Sequence, residues 1–304
     1  MPSLLEILSV LVEFIPQVFL LYLLLSLLQK SGVLAKLANF FHLPINNVLP
    51  ICLTFNCTTM AVCATQDNPQ RYRLVYFLSL IPCTAQLPLL TFLLLTVVGF
   101  PVWSIVLIYV SCILLAVLVS LCLPKTSTMD MDKDKSNPKL SFPNLWHCLL
   151  DTLKQTLIFA KKIFIAFVVS AFVIVFLARF SFEFKFVANP KDSILFSICG
   201  FFAPIFAPIG LNHPVLICAL LFGIIAKESA VSVLLFFPDV VKTLTLPVVV
   251  SLVIFFTLYP KCLAAQTAIN HHCGRKTGIK VFLTNLLLAY SLSFVVYNLC
   301  GFFI

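Results

Sequence analysis

Charge is scarce in this chain. Only 10% of its 304 residues are Asp, Glu, Lys or Arg, where a soluble domain carries about 25%. That shortage excludes a water-soluble globule. The signatures of enzyme chemistry are missing too. There is no Gly-x-x-x-x-Gly-Lys-Ser/Thr run to cradle a phosphate and no Cys-x-x-Cys pair to close a structural zinc site. No nucleophile–base–orienter arrangement points to hydrolysis, so the reading is of a non-enzyme. The first apolar run lacks a basic leader and contains Glu6 and Glu13, so no cleavable signal peptide is expected.

What is present is apolar. The chain is 61% hydrophobic with a mean hydropathy of +1.10. Several uncharged runs, Val102 to Leu123 and Val281 to Ile304 most clearly, reach the roughly 20 residues that cross a bilayer as a helix. Outer-membrane barrels alternate in short segments instead. The fold class is therefore an all-α, polytopic helical membrane protein, with the lipid bilayer as its first partner. The net charge of +9 fits basic loops facing anionic lipid and not a nucleic-acid surface. Most of the twelve cysteines lie in apolar segments, where cysteine acts as a small hydrophobe, so no disulfide framework is expected.

Taken in order, a first span covers Leu4 to Leu28 and holds Glu13. Leu43 to Thr65 is apolar but broken by Pro44 and Pro50 and carries Asn56, Cys57 and Thr58, a mixture that suits a re-entrant element. Leu74 to Val98 and Val102 to Leu123 follow. Pro124 to Pro143 is the one polar linker, rich in lysine and so assigned to the cytoplasm. Leu145 to Lys162 is amphipathic and leads into a span ending near Ala178. Ser193 to Ala226 is uncharged for 34 residues and is cut by Pro204, Pro208, Gly210 and Pro214. The next helix is expected to carry Lys227 and Glu228. Thr243 to Ala268 and the last span close the chain. The count is about seven full spans plus two broken elements. The halves run 1–123 and 144–304, joined by the linker 124–143.

Two helix breaks organise this pattern. Ile81-Pro82-Cys83-Thr84-Ala85-Gln86-Leu87-Pro88 sits at membrane depth, and Tyr259-Pro260-Lys261-Cys262-Leu263-Ala264-Ala265-Gln266 recurs about 180 residues later. Proline removes a backbone donor and leaves carbonyls unpartnered, which lipid tolerates only where protein or a polar cavity covers them. Paired breaks in two halves point to a transporter built from internal repeats. Cys83 and Cys262, with Cys57 as a third thiol, are candidate ligands for a borderline metal ion. Lys227 and Glu228 at membrane depth each need a partner, Glu228 as a candidate cation ligand and Lys227 at helix-end carbonyls. Glu13 either lines the path or snorkels to the interface. Gln86 and Gln266 either hydrogen-bond the opened backbone or line the path with Asn56, Thr58 and Thr84. His271, His272, Arg275 and Lys276 form a polar corner, where His271, His272 and Cys273 would need a loop to share a metal.

The motifs resemble one family, the bacterial ferrous-iron permease FeoB, in its membrane part, a tandem Gate module. Phe14-Ile15-Pro16-Gln17 with Ser31-Gly32 and Ala35-Lys36 is similar to its first Gate helix. Phe55-Asn56-Cys57-Thr58 through Ala64-Thr65-Gln66 resembles Phe-Gly-Cys-Asn…Ala-Thr-Arg. Pro82-Cys83-Thr84-Ala85-Gln86-Leu87-Pro88 resembles Pro-Cys-Ser-Ala-Arg-Leu-Pro. Phe206-Ala207-Pro208-Ile209-Gly210 and Ala226-Lys227-Glu228 resemble Phe-Ala-Pro-Leu-Gly and Ala-Lys-Glu. Cys262-Leu263-Ala264-Ala265 through Gly274 is similar to the second Cys-Val-Ala motif. The sequence departs from the pattern in Gln66 and Gln86, which replace arginines. It departs also in His271-His272, which replaces Arg-Glu, and in Lys261, inserted between proline and cysteine. The GTPase domain and one early span are not among these 304 residues.

The resemblance implies two pseudo-repeated Gate halves in a multi-pass protein of the bacterial cytoplasmic (inner) membrane. It implies passage of Fe2+ or a similar divalent metal, as substrate, into the cytoplasm, with no permanently bound cofactor. It implies a GTPase subunit or FeoA-like protein acting in trans, or else a core that runs uncoupled as a channel; a homo-oligomer is a further candidate. The alternatives are a Gate-type transporter of nucleosides or small organic solutes, and a non-transporting membrane scaffold.

Overall fold

Prolines cut the apolar runs of this chain into short helices, and the cuts fall in the interior of the fold. The computed structural model describes residues 45–65, 68, 70–123, 193–227 and 229–303, with isolated positions between 16 and 27 and between 146 and 187. Most of the first span, Glu13 included, the whole linker 124–143, most of 144–192, and Gln66 and Glu228 lie outside the described residues. Among the described residues, four stretches are long and apolar enough to cross a membrane: Arg71–Val98, Trp103–Cys122, Leu246–Cys273 and Arg275–Phe302. A pair bent by 98°, Ile194–Ile209 and Pro214–Ile225, makes up to five. The all-α, polytopic membrane class holds. Both thiol-bearing breaks lie inside full-length spans.

Helix α1 (Ile45–Asn56) and α2 (Thr58–Cys63) meet at Cys57, which is extended. At 1.5 Å per residue they are about 18 and 9 Å long, each short of a ~30 Å hydrocarbon core. Both pack on α3 (Arg71–Leu80) through Leu53, Ala61, Leu74 and Leu78. After the first break, Thr84–Gln86 makes a single 3-10 turn that runs into α4 (Leu87–Thr91) and a π-wound segment, Phe92–Val98. Helix α5 (Trp103–Cys122) returns. Arg73 Nε donates to Ser120 O at 2.6 Å, so α5 ends on the face where α3 begins. Val106, Leu107, Val110, Leu114, Val117, Leu118 and Leu121 are exposed along α5, and only Ile105, Cys112 and Ala116 are buried. That is a lipid-facing helix with a narrow packed seam.

In the second part, α6 (Ile194–Phe206) and α7 (Pro214–Ile225) are tied by a Cys199–Cys218 disulfide. The cysteine pattern had argued against a disulfide framework. This single bond joins two apolar helices, and nine other described cysteines lie outside disulfides. Helix α8 (Ser229–Phe236) packs back on α7, and α9 (Pro238–Lys242) leads to α10 (Leu246–Leu258). Beyond the second break come α11 (Leu263–Cys273) and the long α12 (Arg275–Phe303). Helix α10 is buried on nearly all sides, through Val249, Leu252, Val253, Phe255 and Phe256, and packs along α12.

Lipid supplies no hydrophobic drive between helices, so close packing and buried hydrogen bonds must hold the bundle. On α12 the buried residues Val281, Asn285, Ala289 and Ser293 recur every fourth position, one face of a helix. Asn285 exchanges hydrogen bonds with Ser79, each at 3.2 Å, and Ser293 Oγ donates to Ser251 O at 3.2 Å. Gly210 ends the α6 segment at φ +78, and a Cβ there would strike the Tyr297 ring. Both the left-handed backbone and the close approach require glycine.

Candidate functional site

Each break frees carbonyls, and the structure shows where they go. The helical partner of the Phe256 carbonyl would be the N–H of residue 260, which is proline and has none. The Gln86 side chain fills that place: its Nε2 donates to Phe256 O at 2.9 Å and to Thr257 O at 3.2 Å. Its Oε1 accepts from Cys83 N at 3.2 Å. Gln86 therefore repairs both breaks at once, closing its own turn and capping α10.

The traffic runs both ways. Ile81 is extended, at φ −77 and ψ 129, so its carbonyl leaves the α3 ladder. Lys261, from within the second break, donates to it at 2.8 Å. Lys227 Nζ donates to Pro260 O at 2.9 Å and stands 3.3 Å from the centre of the Tyr259 ring, a cation–π contact. The sequence put Lys227 and Glu228 on a helix. Instead α7 stops at Ile225 and Ala226 is extended, at φ −145 and ψ 124, so Lys227 occupies a further break, at the tip of the α7–α8 hairpin. The reason is local: an extended Ala226 frees the ammonium to reach across to Pro260. Gly223 lets α7 approach, because a Cβ there would meet the Tyr259 hydroxyl.

The α1–α2 kink joins the same cluster. Thr84 Oγ1 donates to Asn56 O at 2.8 Å. Beside it, the buried Asn56 Nδ2 and Thr58 Oγ1 have no hydrogen-bond partner. Buried polar atoms are nearly always paired, so these two are the orphaned groups of the site. The Cys57 thiol lies within electrostatic range of those of Cys83 and Cys262, and Lys227 and Lys261 lie within range of Cys83 and Cys262. Three thiols and two lysine amines thus lie within electrostatic range of one another where four breaks meet, but the expected ligand set of Cys57, Cys83 and Cys262 does not close into one metal site, because the thiols are held on separate breaks.

Of the residues singled out in the sequence, Cys57, Cys83, Cys262, Asn56, Thr58, Thr84, Gln86 and Lys227 come together. Gln266 does not join them: its Nε2 bonds Gly278 O at 2.8 Å, between α11 and α12. Glu13 and Glu228 are outside the described residues. Among the described residues, no three His, Cys, Asp or Glu side chains are close enough to hold a metal ion. His272 Nε2 lies 3.7 Å from Cys63 Sγ, at the basic end of the bundle and away from the breaks. Two residues of the second break were given no site role in the sequence reading, Lys261 and Tyr259. The signal for Lys261 was available: it is the one charged residue between Thr243 and Asn270.

No protein-family model matches this chain, and no solved structure matches it significantly. Curated proteins do. It is 29% identical over 245 residues to the Fe(2+) transporter FeoB of Salmonella typhimurium, covering 72% of this chain and 30% of that protein. It is 25% identical over 324 aligned residues to the Fe(2+) transporter FeoB of Staphylococcus aureus, covering 97% of this chain and 48% of that protein. The chain spans from about a third to about half the length of the curated relatives it matches. The resemblance to the membrane part of FeoB carries through the chain.

Proposed function

We propose that this chain forms the membrane path of a FeoB-like permease, moving Fe2+ or a similar divalent metal into the cytoplasm across the bacterial inner membrane. One observation carries the reading. The two proline breaks face each other, each brings a thiol, and each supplies the side chain that caps the other's carbonyls. Carbonyl oxygens and thiols at membrane depth are what a borderline cation needs to shed water and move on. The names of the relatives support the choice of cargo. On this reading residues 1–123 and 144–304 are two Gate halves, and a GTPase subunit or FeoA-like protein couples energy in trans.

Orientation follows from charge. The 63–73 turn, the end of α5 and the 271–280 corner share one face, through Cys63 with His272 and Arg73 with Ser120. That face carries Arg71, Arg73, Arg275, Lys276 and Lys280 and leads into the lysine-rich linker, so it is assigned to the cytoplasm. The orphaned Asn56 amide and Thr58 hydroxyl favour a second reading, in which neutral donors bind a small organic solute such as a nucleoside. Purified protein in vesicles separates the two. Fe2+ or Mn2+ uptake that falls in C83S and C262S supports the metal path. Unchanged metal uptake with saturable nucleoside binding overturns it.

A further inference from the structure

We propose that Lys261 is a tethered internal cation that latches the path shut: its ammonium occupies the carbonyl site at Ile81, and ions pass only when it lets go. The proposal rests on the cation-path reading and adds what closes that path.

The amine is buried to 2% exposure and crosses from one break to the other, 180 residues apart, to reach Ile81 O at 2.8 Å. Its chemistry is that of the ion it excludes, a positive charge satisfied by a peptide oxygen, as in carbonyl-lined ion sites. Lys227 repeats the arrangement one step away, with Pro260 O and the Tyr259 ring face. Among the described residues neither amine has a carboxylate partner in hydrogen-bond or ion-pair contact. A structural cap does not require this. The same cluster uses a neutral amide, Gln86, to cap two carbonyls, and a charged group at membrane depth is far costlier than an amide. The charge therefore has its own role. Lys261 lies within electrostatic range of Cys83, Cys112 and Cys262, so while it is seated it repels a cation from the two break thiols. Lys261 also sets one end of its own latch, because it precedes Cys262 in the chain. A swing of its side chain exposes the Ile81 carbonyl beside Cys83.

The test reads the latch separately from the cargo. Full-length protein in vesicles is treated with a charged alkylating reagent, and modification of Cys83 and Cys262 is followed by peptide mass spectrometry alongside Mn2+ leak. Loss of one charge-assisted hydrogen bond corresponds to about tenfold in the open population. K261M is therefore expected to alkylate about tenfold faster at both cysteines and to leak Mn2+, and K261R to return both towards the wild-type rate. Faster alkylation without Mn2+ leak leaves the latch standing and overturns the metal reading. Unchanged alkylation in folded K261M overturns the latch. If K261M does not fold, K261Q keeps a donor without the charge. Faster alkylation in K261Q supports the latch, and the wild-type rate overturns it.

Discussion

Gln86 hydrogen-bonds the carbonyl of Phe256, the acceptor that Pro260 left without a helical donor. A side chain from one half of the sequence thus completes a helix in the other. That relationship makes Gln86 a structural cap, and it sets the first expectation. Q86L leaves the Phe256 and Thr257 carbonyls and the Cys83 N–H without partners, and each buried unpaired group costs about 1–3 kcal/mol. Thermal unfolding in detergent is expected to drop clearly. Q266A, which loses a bond to Gly278 and a long one to Asn270 at a half-buried position, is expected to drop by about 1 kcal/mol. Equal losses in the two variants would reject the cross-break cap.

Thr58 offers the opposite balance. Its buried hydroxyl is unpaired, so T58V removes an unsatisfied group of nearly the same shape. Stability is expected to hold or to rise by about 1 kcal/mol, while transport falls because the path loses an oxygen. A destabilised T58V with full transport would show that the hydroxyl serves the fold and not the route.

The three thiols are expected to differ from cysteines placed elsewhere. C83S and C262S each replace a soft donor by a hard one and should lower Fe2+ or Mn2+ uptake by about tenfold, on the scale of perturbing a metal ligand set. C52S, on α1 and outside the cluster, should transport like the parent. Uptake that ignores both C83S and C262S would remove these thiols from the path.

Orientation is testable with the chain's own cysteines. Cys63 and Cys122 are exposed and lie on the basic face. An impermeant maleimide is expected to modify both in inside-out vesicles and neither in right-side-out vesicles. Cys300, near the far end of α12, should show the reverse. Modification of Cys63 from outside would invert the topology.

Gly210 tests the packing of the α6 turn. Its positive φ and its contact with Tyr297 mean that G210A carries both backbone strain and a clash, together at least about 1–3 kcal/mol. Adding Y297A should recover only the part due to the clash. Full recovery would assign the whole cost to the ring.

Much of the site was legible in the sequence because its causes are local. Pro82 and Pro260 open the helix wherever they are placed, and a thiol beside each is visible by inspection. Lys227 stands out as a charge at membrane depth. Its seat on a further break was not legible, because the acceptor it reaches, the Pro260 carbonyl, lies 33 residues away in the chain. Gln86 and Gln266 looked alike in sequence and differ in the structure. One lies opposite the open end of α10, and the other lies against the start of α12.

The sequence by itself determined the membrane class, the positions of the proline breaks and the basic face, since hydropathy, proline chemistry and charge bias act on a chain whatever it packs against. Only the tertiary structure decided which carbonyl each donor meets: Lys261 with Ile81, Gln86 with Phe256, Lys227 with Pro260. It also decided that Cys199 meets Cys218 and that Asn56 and Thr58 are left over. These pairings depend on where residues far apart in the chain come to rest, and a linear pattern carries no distance between them.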